Sequence, residues 1–183
     1  MSEKLLVPLL LVAVGALLGG VINAMVGRYA AFKEAKGIAA SLRAEIDSIL
    51  FMIKRREYVR NLTEILARLA DASHVVTSAD VPSIALTQDY FTLFHATASK
   101  IGHLGELGGA ATQLYILGKG LLEDLSRLRE WHEQGRALAR DELSVVIREV
   151  LDLFQAVDRD GRKLVARLGT YTSRKRRWIG LFP

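Results

Sequence analysis

Apolar residues are distributed along the chain in two ways: one uninterrupted run near the start, and later stretches in which apolar and polar positions alternate with helical spacing. The run from Leu5 to Gly27 has 23 residues, contains no charge, and has Asn23 as its one strongly polar side chain. As a helix rising about 1.5 Å per residue it reaches roughly 34 Å, enough to cross the hydrocarbon core of a bilayer. Residues 1–28 are therefore predicted to form a transmembrane anchor.

A cleaved signal peptide is the alternative interpretation of this run. The apolar part of a signal peptide usually covers about 7–15 residues and follows a basic leader. Here the apolar run is longer, and the leader Ser2-Glu3-Lys4 pairs one cation with one anion. We therefore interpret the run as an anchor that is retained.

The later stretches place apolar residues at every third or fourth position, which is typical of helices with one buried face. They predict a long helix from the span to about Ala72, a connection over 73–88, a short aromatic helix from Tyr90 to near Gly102, and long helices over 106–133 and 140–171. The Asp158–Gly161 run predicts a break or bend in the last helix. The predicted fold class is all-α, with one N-terminal transmembrane helix followed by a small antiparallel helical bundle over residues 29–172.

The composition excludes several kinds of catalytic and metal site. The chain of 183 residues has no cysteine, which excludes disulfides, thiolate metal sites and a cysteine nucleophile. It also lacks a phosphate-loop motif, a nucleophile elbow, and a helical pair of histidines with a carboxylate between them. The sequence therefore predicts no catalytic residue, no metal ligand and no cofactor.

Charges flanking the apolar run predict its orientation. On the N-terminal side, Lys4 and the amino terminus are offset by Glu3. On the other side the first cations are Arg28, Lys33, Lys36 and Arg43. Because the more basic flank of a span stays in the cytoplasm, the N-terminus is predicted to be outside and the C-terminal domain cytoplasmic.

Small residues form a stripe on one face of the predicted span. Its members, spaced four residues apart, are Gly15, Gly19, Asn23 and Gly27. Such spacing lets two helix backbones approach closely, and Asn23 can hydrogen-bond across the contact. The stripe predicts a homo-oligomer or a complex with another membrane protein, although glycine is also common in membrane helices that do not associate.

The C-terminal tail, residues 173–183, combines cations with apolar side chains. Its membrane-surface candidates are Arg174, Lys175, Arg176, Arg177 and Trp178. Cations that meet anionic headgroups while an aromatic ring enters the interface predict binding to anionic lipids of the bilayer. A tail folded back onto the bundle is the alternative. Nucleic acid is disfavoured as a partner, because basic residues elsewhere alternate with acidic ones.

Aromatic residues and a glycine-rich turn define a possible ligand pocket in the second half of the chain. Its predicted members are Tyr90, Phe91, Phe94, His95, His103 and Tyr115. Aromatic side chains of this kind line ligand sites, and they also plug the cores of helical bundles.

One region resembles a group of proteins. The residues that carry the likeness are Tyr90-Phe91, Lys100-Ile101-Gly102, Leu104-Gly105, Tyr115 and the segment 120–125. This pattern is similar to one in uncharacterised bacterial single-pass membrane-anchored helical proteins. The resemblance covers about residues 90–125 and implies a bacterial inner-membrane location. It implies no activity.

These features together predict a non-enzymatic protein: a membrane-tethered helical module for interaction, scaffolding or signalling at the cytoplasmic face. One alternative is a sensor that binds a small ligand in the bundle. Another is a membrane-acting effector, such as a toxin or defence component, that oligomerises through the span.

Overall fold

The computed structural model describes residues 3–82, 90–135 and 139–173. In these ranges the chain is helical, without any strand, which confirms the all-α prediction. The α-helices are α1 (Glu3–Arg55), α2 (Tyr58–Ala70), α3 (Thr92–Thr97), α4 (Glu106–Glu133) and α5 (Arg140–Ser173). Two 3-10 segments, Ser78–Asp80 and Ala98–Leu104, join them.

Contacts along α5 show that it runs antiparallel to its neighbours. Near its start, Arg140 donates to the Asp71 carbonyl just beyond α2. Farther along, Gly161 faces Leu50 of α1, and near the end Gly169 faces Arg43. α2 therefore packs along the first part of α5 and α1 along the rest, and both are antiparallel to it.

The remaining helices complete an up-and-down arrangement. Arg167, near the end of α5, lies 3.6 Å from Glu106 at the start of α4, so α4 is also antiparallel to α5. α3 and the following 3-10 segment run antiparallel to α1, because Glu45 accepts the backbone N–H of Leu93 while the earlier Glu34 binds Lys100. The segment therefore reaches the end of the bundle nearest the apolar half of α1.

The core begins well inside α1. Its first buried residue is Ala35, and apolar residues of α1, α2, α4 and α5 fill one continuous cluster. Its most completely buried large side chains include Phe154, Leu42, Leu62, Leu128, Leu143, Ile147 and Leu168. By contrast, Val12, Leu17 and Ile22 in the first half of α1 are 72%, 70% and 58% exposed. A single helix thus leaves the bundle and presents an apolar surface of its own.

The prediction of one helix to about Ala72 was wrong, because the chain turns at Glu57. This residue has φ 52 and ψ 29, in the left-handed region, and it separates α1 from α2. The apolar pattern explains the break: Ile53 and Leu62 are nine residues apart, which places them on opposite faces of a continuous helix. The break turns α2 so that Leu62 also enters the core.

The prediction of a break at Asp158–Gly161 was also wrong, since α5 is helical through this run. Asp158 pairs with Arg162 one turn later at 2.7 Å, which supports the helix. A Cβ atom at Gly161 would lie 3.1 Å from a methyl group of Leu50. This glycine therefore allows α1 and α5 to pack closely.

Candidate functional site

The apolar half of α1 is the first candidate site. Among the residues that the structure describes, α1 is the one helix long and apolar enough to cross a membrane by length and composition. The stripe residues Gly15, Gly19 and Gly27 have no atom within 4 Å of their Cβ positions, and Asn23 is exposed. The stripe is therefore uncovered in a single chain and available to a second helix.

The proximal end of the bundle, the end nearest the apolar half of α1, carries a cluster of charges. The Lys100 ammonium group lies 2.5 Å from Glu34 Oε1, and His103 Nδ1 lies 3.9 Å from Glu34 Oε2. The hydrogen bond from Lys100, together with its positive charge, holds the pKa of Glu34 below its ordinary value. Glu34 thus stays ionised and ties the 3-10 segment to α1.

The basic tail follows directly from this end. α5 ends at Ser173, four residues beyond Gly169, whose Cβ position lies 3.3 Å from the Arg43 guanidinium of α1. The predicted membrane-surface residues 174–178 lie outside the described residues. Their point of attachment is nonetheless on the side of Arg43 that faces the span.

Four of the six predicted pocket residues meet in one aromatic cluster. The rings of Phe94 and Tyr115 stack with centroids 4.2 Å apart, and Phe91 meets Tyr115 edge-on at 5.1 Å. The Tyr115 hydroxyl lies 3.1 Å from His95 Nε2. The cluster fastens α3 to α4. His103 is separate from it, at Glu34.

Tyr90 lines a small cavity beside this cluster. The cavity has a volume of about 50 Å³ and lies among α1, α4 and α5. Its lining is almost entirely apolar and includes Met52, Ile53, Phe91, Leu122 and Phe154. A Cβ atom at Gly118 would stand 2.3 Å from Phe91 Cζ, so the absence of a side chain there lets the Phe91 ring lie over the cavity.

A polar cluster at the opposite, distal end was not predicted from the sequence. Its centre is Asp80, which is 3% exposed. The carboxylate accepts hydrogen bonds from the Thr77 backbone N–H at 2.9 Å and the Arg68 guanidinium at 3.4 Å, and lies 3.0 Å from His74 Nε2. Burial raises the pKa of Asp80, but the hydrogen bonds from Thr77 and His74 outweigh it and keep this pKa below its usual value.

Neighbouring contacts show what the distal cluster does. Arg140 donates to the backbone carbonyls of Asp71, Ala72 and His74, and His132 Nδ1 lies 3.0 Å from the Val81 carbonyl. These contacts fasten the connection after α2 to α4 and α5. The signal that could have revealed the cluster is Asp80 itself, a lone acid three residues after Thr77 in a connection rich in small polar residues.

Comparison with known proteins adds no relative: no family model matches the chain, and no curated protein or solved structure matches it. In the described part of the chain, no group of three or more His, Asp or Glu side chains is arranged to hold a metal ion. The functional proposal therefore rests on the exposed apolar half of α1, the charge cluster at the proximal end and the polar cluster at the distal end.

Proposed function

We propose that this chain is a membrane-tethered helical module for interaction, scaffolding or signalling at the cytoplasmic face of a bacterial inner membrane. The observation that carries the proposal is the continuity of α1. The same helix presents exposed apolar residues up to Val26 and buried core residues from Ala35 onward. Such a helix joins a bilayer to a bundle without a flexible linker, so the bundle is held at a set height above the membrane.

The proposed orientation has the N-terminus outside and the bundle inside. It is supported by Arg28, Lys33 and Lys36, which follow the apolar residues directly, since cations flanking a span are retained in the cytoplasm. The bacterial location rests on the sequence resemblance over residues 90–125.

Deletion of residues 1–28 tests the tether. The deletion removes no residue of the buried core, whose first member is Ala35. We expect the full chain to remain in membranes after a carbonate wash and the shortened chain to be soluble and helical. A shortened chain that stays with washed membranes would contradict the single tether.

The tail is proposed to bind anionic lipids of the same membrane. At about 1 kcal/mol for each basic residue near an anionic leaflet, four cations contribute roughly 4 kcal/mol at low salt. A peptide of residues 171–183 should sediment with anionic vesicles and much less with neutral ones. Replacement of Arg174, Lys175, Arg176 and Arg177 by glutamine should abolish this sedimentation. Equal binding by the unmodified and the substituted peptide would favour a tail folded back on the bundle.

A second candidate function, the sensing of a small apolar ligand, is favoured by the cavity beside Tyr90. A cavity of about 50 Å³ is well below the roughly 150 Å³ that accommodates benzene. A ligand of that size would therefore need to displace the Phe91 ring. Benzene should raise the melting temperature of the purified protein if the cavity opens in this way, and Leu122→Phe, which fills the cavity, should remove the shift.

A further inference from the structure

The proximal end of the bundle brings together basic residues that are far apart in the sequence. Arg28, Lys33 and Lys36 lie on α1, whereas Lys100 and His103 lie on the 3-10 segment that reaches the same end. Within the described ranges, Arg28 and Lys33 have no carboxylate at ion-pair distance, and Lys100 shares Glu34 with His103. Among the described residues, the acids at this end are Glu34, which pairs with Lys100, and Glu106, which pairs with Arg167, so cations are in excess.

The height of these residues above the apolar span follows from the unbroken helix. Lys33 and Lys36 follow Gly27 by six and nine residues, which corresponds to about 9 and 14 Å along the helix axis. The headgroup layer extends about 5–8 Å beyond the hydrocarbon core on each side. The Cα atoms of both lysines therefore lie within about one Debye length of the headgroup layer, and their long side chains shorten the remaining distance.

The position of Arg28 defines a gap beneath the bundle. Arg28 precedes the buried Ala35 by seven residues, close to two helical turns, so both lie on the face of α1 against which the bundle packs. Farther along α1, at Glu34, lies the 3-10 segment that carries Lys100, His103 and the exposed Gly102 and Gly105. The space between bundle and bilayer is therefore bordered by Arg28 from below, and by the Lys100–Glu34 pair and His103 from above.

We propose that this proximal end is a binding surface for anionic phospholipid headgroups, distinct from the basic tail. The proposal rests on the proposed tether through α1 and does not depend on residues 174–183. Because α1 has no flexible joint between span and core, Arg28, Lys33 and Lys36 keep fixed positions around α1, and headgroups near the proximal end meet the same cations in every molecule. Anionic lipids thereby determine the angle between the bundle and the membrane surface, as well as the affinity of the proximal end for that surface.

The chain contains no cysteine, so single reporter cysteines can test this surface in the full-length protein. Gly102→Cys places a fluorophore at the proximal end, where a side chain meets no atom within 4 Å. Ala72→Cys, which is exposed at the distal end, is the matched control. Each labelled protein is reconstituted into nanodiscs of phosphatidylcholine alone or with phosphatidylglycerol, both containing a lipid with a quencher on its headgroup.

We expect the Gly102 label to be quenched about two- to five-fold more in anionic than in neutral nanodiscs, since each nearby lysine increases binding to an anionic surface by up to about five-fold. The Ala72 label should show no such difference. Lys33→Gln combined with Lys36→Gln should reduce the ratio of quenching in anionic to quenching in neutral nanodiscs towards one for the Gly102 label. This double variant leaves the Lys100–Glu34 pair intact, and circular dichroism checks its fold.

Arg127→Gln combined with Arg148→Gln makes the same change of charge away from the proximal end and should leave the ratio unchanged. Replacement of residues 174–177 by glutamine should also leave most of the quenching ratio of the Gly102 label in place. Equal quenching in both lipids, or equal effects of the proximal and control double variants, would overturn the headgroup surface. Failure of the unlabelled chain to enter nanodiscs at all would instead overturn the proposed tether.

Discussion

Gly108 lies directly against the backbone carbonyl of Ile101. A Cβ atom at position 108 would stand 2.3 Å from that oxygen, whereas one at the adjacent Gly109 would meet no atom within 4 Å. The turn between these residues passes through Gly105, with φ +57, a conformation that glycine adopts without strain. Gly108 and Gly105 together allow the 3-10 segment to fold back onto the start of α4.

This contact predicts opposite effects of two neighbouring substitutions. Gly108→Ala should lower the free energy of unfolding by about 1–3 kcal/mol, because a backbone oxygen cannot move aside as the end of a side chain does. Gly109→Ala should raise it by about 0.5–1 kcal/mol, since alanine favours a helix and the added methyl group has room. Denaturant unfolding followed by circular dichroism in mild detergent measures both, and equal effects would contradict the described turn.

The left-handed conformation of Glu57 predicts a second matched pair. Glu57→Gly should leave stability unchanged or raise it by up to about 1 kcal/mol, because glycine adopts φ 52 without steric cost. Glu64→Gly, at an exposed position inside α2, should lower stability by about 1 kcal/mol. If Glu57→Gly were as harmful as Glu64→Gly in the same unfolding experiment, the chain would be helical through position 57.

The distal cluster predicts how stability depends on pH. Since the pKa of Asp80 is lowered from 3.8 in the folded state, the unfolded chain binds this proton more readily. The contribution of Asp80 to stability is therefore fully present above pH 3.8 and is lost as the pH falls through the lower folded-state pKa. Urea unfolding between neutral pH and about pH 2.5 measures this loss.

Substitution of Asp80 separates its contribution from those of other carboxylates. Asp80→Asn should lower the free energy of unfolding by about 1–3 kcal/mol at neutral pH, because the hydrogen bonds to a buried charge are weakened. The same variant should lose less stability than the unmodified chain as the pH falls. Asp152→Asn, an exposed change on α5, is the control and should alter neither. The same acid slope in the Asp80→Asn variant would show that other groups determine it.

The uncovered stripe on α1 predicts self-association in the membrane. Gly15→Ile with Gly19→Ile should weaken it, because branched side chains hold two helix backbones apart, and Asn23→Leu should have a smaller effect in the same direction. Leu17→Ile moves the branch of a side chain from Cγ to Cβ at a position off the stripe and should have little effect. A membrane two-hybrid assay compares these variants, and an unchanged signal from the double glycine variant would remove the stripe from the interface.

The sequence by itself determined the class of this protein. An uncharged run as long as Leu5–Gly27 and a periodic apolar pattern are local properties, and each specifies a helix and its buried face before any long-range contact forms. The end of α4 near Gly135 was also predictable from local sequence, because glycine readily adopts the φ of +58 that follows the helix. The aromatic cluster was partly predictable, because Phe91, Phe94 and His95 are neighbours in the chain.

Only the tertiary structure decided which side chains meet across long distances. Glu34 pairs with Lys100 sixty-six residues later, and nothing in the local pattern distinguishes these two from other exposed charges. Gly108 and Gly109 are equivalent in sequence and differ only in what faces them. The break at Glu57 is an intermediate case: the nine-residue step from Ile53 to Leu62 is a local signal for it, but the packing of a half-buried Ile53 and a buried Leu62 in one core is what makes a left-handed glutamate tolerable.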